Sequence, residues 1–144
     1  VVVDIYSRYL FEKAVFERRP EAELSAEELC ELMLDAQRET YGDGLDGRWL
    51  HGYMWAWKPH YYSANRSFYN FPYTFGLLFG LGLYTVYRER GDAFLPAYDD
   101  LLSSTGEARS AELAARFGID IRDRGFWESS MDMIEEQIER YVAL

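Results

Sequence analysis

Apolar residues recur at helical spacing through most of the chain, and no stretch of useful length alternates with the period of two that a strand requires. Near the start, Tyr6, Leu10, Val15 and Phe16, with Tyr9 and Phe11 beside them, form a wide apolar stripe ending at the turn Arg19-Pro20. Ser25-Ala26-Glu27-Glu28 is a capping box, in which the serine oxygen accepts from a first-turn amide and Glu28 reaches back. Behind it Leu29, Leu32, Met33 and Ala36 fall on one face. That spacing predicts an amphipathic helix over 26–40, stopped by Gly42-Asp43-Gly44.

Trp49, Leu50, Tyr53, Met54 and Trp57 predict a short buried helix over 47–57, which ends at Lys58 because the residue before a proline is pushed out of the helical region. Turn formers Ser63, Asn65, Ser67 and Asn70 mark a loop over 60–71. Pro72 suits a first turn, and 72–88 reads as an almost uncharged helix buried on all sides. Gly91-Asp92 opens a helix to about Leu102 interrupted by Pro96, and Ser110 caps another that stops at Gly118. Phe126 to Val142 forms the last, with Met131, Ile134 and Ile138 on one face. The expected fold is all-α, a helical bundle in a single unit over 1–144. The uncharged run from Ser67 to Tyr87 is 21 residues and long enough to span a bilayer. Asn70, Pro72, Thr74, Thr85 and tyrosines scattered along it argue for a helix inside a soluble protein, with Gly76 and Gly80 allowing close packing.

Charge changes this picture in one place. A net charge of −10 excludes a nucleic-acid-binding surface, which needs a dense basic patch. The single cysteine, Cys30, forms no internal disulfide, fits a reducing cytosol and reads as a packing residue. The acids stop at Asp46 and resume at Glu89, so 47–88 holds none of the 25. The same window carries Arg48, Lys58, Arg66 and Arg88, both histidines, and seven of the 12 tyrosines. A strip of this kind can bind an anion, or an oxygen that becomes anionic during a reaction. A large aromatic core that excludes acids has the same composition.

Within the strip, His60 directly follows Pro59, and the loop after it returns tyrosines toward the imidazole. Imidazole N–H and phenol O–H are both donors and together can stabilise an oxyanion. The same residues also fit a histidine hydrogen-bonded within a structural aromatic cluster.

Lys58-Pro59-His60-Tyr61-Tyr62, followed by Phe68-Tyr69-Asn70-Phe71-Pro72-Tyr73-Thr74-Phe75-Gly76, resembles the signature downstream of the zinc site in the oligoendopeptidase F-like metallopeptidases, relatives of thimet oligopeptidase. Phe11-Glu12-Lys13-Ala14-Val15-Phe16-Glu17 resembles the helix that follows the zinc-binding helices there, and Leu113 to Asp120 resembles a stretch near the end. The resemblance covers essentially the whole chain, in order. It implies the C-terminal part of a mostly helical catalytic domain that cleaves short oligopeptides in a deep channel. It further implies that His60, Tyr69 and Tyr73 are catalytic groups reaching the oxyanion of the tetrahedral intermediate. With Tyr62, these residues would also bind the substrate backbone.

The family's zinc sits on an H-E-x-x-H helix plus a further glutamate. This sequence has only His51 and His60, no H-E-x-x-H, and no carboxylate between the two histidines. The resemblance therefore implies zinc in a parent enzyme, none at a catalytic site in this chain, and no activity for this chain alone. The opening Val1-Val2-Val3 lacks a methionine and runs straight into a helical pattern, which predicts a piece of a longer cytoplasmic protein without a signal peptide. Apolar surface left by the missing part predicts self-association. The alternative from the residues alone is a non-catalytic helical module that binds a peptide or partner chain in an aromatic groove.

Overall fold

The computed structural model describes residues 1–61 and 63–144, which form helices joined by turns, with no strand among the described residues. They divide into two compact units, Val1–Phe75 and Gly76–Leu144.

In the first unit, α1 (Val2–Arg18) packs on α2 (Ala26–Tyr41) around Phe11, Leu32, Met33 and Ala36. The capping box forms as the sequence predicts: Ser25 Oγ accepts from the Glu28 amide at 3.2 Å, and the Glu28 carboxylate accepts from the Ser25 amide at 2.8 Å. Ser25→Ala should cost about 1 kcal/mol of stability, read as a lower urea midpoint with an unchanged slope. The apolar stripe of α1 is only partly the buried face. Ile5, Ser7, Phe11 and Glu12 turn inward, whereas Tyr6, Tyr9 and Phe16 are exposed. A stripe that wide exceeds what one neighbouring helix covers, so packing against α2 selects one side of it.

The segment 47–57 is not the continuous buried helix its apolar residues predict. It forms a 3-10 turn at Gly47–Trp49 and then α3, a single turn at Met54–Trp57. Side chains hold the break open. Asp46 accepts from the Arg48 amide at 3.0 Å, and buried Gln37 grips the His51 backbone at both ends, donating to its carbonyl at 3.0 Å and accepting from its amide at 2.9 Å. Trp49 and Trp57 are left 76% and 61% exposed. Cys30 packs as expected: Trp55 Nε1 lies 3.5 Å from its Sγ, and Gly52 lies against its Cβ.

α4 (Phe71–Arg90) includes Pro72 in its first turn but is not buried on all sides. Gly82 and Leu83 are its buried residues, while Leu77 and Tyr84 are exposed. In the second unit Leu83 joins Phe94, Leu101, Leu113, Ala114 and Ile119 in the core. Gly91, at φ +61°, leads into a 3-10 turn and then α5 (Leu95–Ser103), where Pro96 occupies the first turn rather than interrupting the helix. α6 (Ser110–Arg116) starts on Ser110 itself, with Arg109 at the cap position and no side-chain cap bond. α7 (Arg124–Val142) begins earlier than Phe126, because the Asp123 carboxylate accepts from the Gly125 amide at 3.1 Å. Its predicted apolar face is mostly outside, with Met131 and Ile138 exposed. The buried position is Ser130, whose hydroxyl donates to the Leu78 carbonyl at 2.8 Å. No helix among the described residues is long and apolar enough to cross a membrane.

Candidate functional site

After extended Lys58, residues Pro59–Tyr61 make a 3-10 turn. Successive backbone turns follow, with amides donating from Arg66 to Ser63 at 2.9 Å, from Tyr69 to Arg66 at 3.2 Å and from Tyr73 to Asn70 at 3.3 Å. This winding brings His60, Tyr69 and Tyr73 into one cluster. The His60 and Tyr69 rings stack at 5.6 Å, and Tyr73 stands edge-on to both, at 5.9 Å from His60 and 6.3 Å from Tyr69. Tyr73 Oη lies 3.3 Å from His60 Nε2. Tyr62 lies outside the described residues.

Protons decide what the pair can donate. Burial first, and then the positive charges of Arg8, Arg66 and Lys58, hold the His60 pKa below the ordinary histidine value. The ring is therefore neutral at neutral pH and carries one proton. With that proton on Nδ1, Tyr73 must donate to Nε2, and the remaining N–H sits on an atom that is buried without a partner. With the proton on Nε2, the imidazole donates to Tyr73 Oη and the phenol proton is left free to point outward. Only the second arrangement presents a donor to an arriving ligand, and it comes from Tyr73, a residue 47% exposed. Tyr69, 42% exposed, offers a second hydroxyl beside it.

The surroundings are positive. Lys58 Nζ sits 3.9 Å from the Trp57 ring centroid and the Arg66 guanidinium 5.2 Å from that of Tyr69. Burial and nearby Arg8 lower the Lys58 pKa.

The carboxylates missing from 47–88 are supplied by α1, which the sequence did not reveal. Glu12, 5% exposed, accepts the Phe68 amide proton on Oε1 at 2.6 Å. Phe68 has φ +55°, a left-handed conformation uncommon for a bulky residue, and its ring packs on Tyr9 at 5.9 Å and Phe16 at 5.0 Å. Arg8 is paired with Asp4 at 2.6 Å and donates to buried Asn70 at 3.4 Å. Tyr61 stands edge-on to Phe11 at 5.1 Å with its hydroxyl buried, and burial raises its pKa. Glu12, Phe16, Arg19, His60, Tyr61 and Ser67 line a cleft of about 610 Å³.

Zinc does not fit the residues present. Among the described residues no group of three or more His, Cys, Asp or Glu is placed to hold a metal ion. His51 is fixed by its backbone to Gln37 and is not part of the His60 cluster. No family model, curated protein or solved structure matches the chain.

Proposed function

We propose that this chain is the C-terminal part of an oligoendopeptidase F-like zinc endopeptidase, and that it supplies groups that bind short oligopeptides and stabilise the oxyanion. The observation that carries this reading is Tyr73 Oη at 3.3 Å from His60 Nε2, in a segment, 47–88, that has no Asp or Glu of its own. When a peptide carbonyl becomes tetrahedral, its oxygen gains negative charge. A phenol O–H already oriented by an imidazole N–H can donate to that oxygen without reorganising at the moment of reaction. Tyr69, stacked on the imidazole, holds the ring face and offers a second donor to the substrate backbone. Tyr62 is a further backbone-binding group in this reading. The metal and its H-E-x-x-H helix belong to the rest of the longer protein, so the chain by itself is proposed to be inactive.

The test is on the full-length protein. Its gene should encode H-E-x-x-H upstream of Val1, and the purified protein should contain zinc and cleave a short internally quenched peptide. Chelation should abolish cleavage, and added zinc should restore it. A full-length protein that binds peptide but lacks the zinc motif and never cleaves would favour the non-catalytic peptide-binding module instead.

A further inference from the structure

The segment that carries Tyr69 and Tyr73 is held from α1, by Glu12 on the Phe68 amide, Arg8 on Asn70, and Tyr9 and Phe16 against the Phe68 ring. It is built from single turns rather than a continuous helix until Phe71, and it passes through Phe68 in a left-handed conformation. A bulky residue at φ +55° is strained and persists only where surrounding contacts fix it. The backbone here is fixed by a side chain. Glu12, reaching from the long helix α1, accepts the Phe68 amide proton at 2.6 Å, immediately before Tyr69 in the chain. Glu12 is 5% exposed, and burial raises its pKa against the opposing pull of the Phe68 amide and, less strongly, of the Asn70 side chain. An acid placed there at that desolvation cost needs a structural or functional reason.

We propose that Glu12 is a positioning residue for the tyrosine donors: its Oε1 fixes the Phe68 amide and thereby sets where Tyr69 and Tyr73 stand relative to His60. It touches no reacting atom. The inference rests on the oxyanion reading above and adds a residue to it. What matters is an acceptor at a fixed reach, not a negative charge. Gln keeps the reach and an acceptor oxygen, Asp keeps the charge but is shorter by one methylene, and Ala keeps neither.

The experiment compares Glu12→Ala, Glu12→Asp and Glu12→Gln in the full-length protein, measuring kcat, KM, zinc content and thermal melting. Glu12→Asp and Glu12→Ala should lower kcat by roughly tenfold or more, with zinc content unchanged and KM moved far less. Glu12→Gln should recover most of the lost turnover. If Glu12→Ala does not fold, the Asp and Gln pair carries the test. Full turnover in Glu12→Asp, or a Gln variant as slow as the Asp variant, overturns the proposal. A His60→Ala control in the same preparation separates the two readings. If His60→Ala is slow and Glu12→Asp is normal, only the positioning role fails; if His60→Ala is also fully active, the oxyanion reading fails with it.

Discussion

Under the proposed peptidase reading, Tyr73→Phe in the full-length protein should lower kcat by about 100- to 1000-fold, the usual loss when one oxyanion donor is removed, equivalent to about 2.7–4 kcal/mol of transition-state stabilisation. The substitution deletes one oxygen and leaves the ring that packs edge-on to His60 and Tyr69. KM should change little, because a ground-state carbonyl carries much less charge than the tetrahedral oxygen. Zinc content should not change, since the proposed reading puts the ligands on the H-E-x-x-H part of the longer protein. His60→Ala should also slow the reaction, by removing the group that holds the Tyr73 hydroxyl. Steady-state kinetics on the zinc-replete protein make the comparison. Normal turnover in Tyr73→Phe would remove Tyr73 from the chemistry, and loss of zinc would mean that the cluster supports the metal instead.

The second large effect is on the stability of the second unit. Gly82→Ala should destabilise the second unit by about 1–3 kcal/mol through overpacking. A Cβ at Gly82 would collide with Phe126 Cζ and stand 2.6 Å from Cε2, so something must shift. Nearby, the Ser130 hydroxyl donates to the Leu78 carbonyl at 2.8 Å, and Phe79 and Phe126 meet at 5.7 Å, so α4 and α7 are not free to separate. Thermal or urea melting reads the loss. Adding Phe126→Leu should recover part of it by replacing the ring with a smaller, more adaptable side chain. Unchanged stability in Gly82→Ala would mean that the ring moves aside at little cost.

These sites differ in how far they could be read from sequence. The helix over 26–40 and its capping box were legible because both depend on residues three and four apart. A loop returning tyrosines toward His60 was legible too, but the choice of Tyr69 and Tyr73 among them came from the family resemblance and not from spacing. The helix over 47–57 was misjudged because its apolar pattern carries no trace of Gln37, whose side chain occupies the His51 backbone from another helix. Two further expected faces failed for a related reason. Periodicity says which side of α1 or α7 is apolar but not which neighbour covers it, so Tyr6, Phe16, Met131 and Ile138 stand exposed while Ser7 and Ser130 are buried. The same tertiary logic hid Glu12. Its role depends on the Phe68 amide, far along the chain, and on a left-handed turn that the identity of Phe68 gives no reason to expect.

In the proposed function His60 and Tyr73 act as one donor unit. A double-mutant cycle on kcat tests it most directly, using His60→Ala, Tyr73→Phe and the double variant of the full-length enzyme, with zinc content measured in each. The double variant should be about as slow as Tyr73→Phe alone, because without the phenol hydroxyl the imidazole has nothing left to orient. Losses that simply multiply, each residue contributing independently of the other, would contradict it.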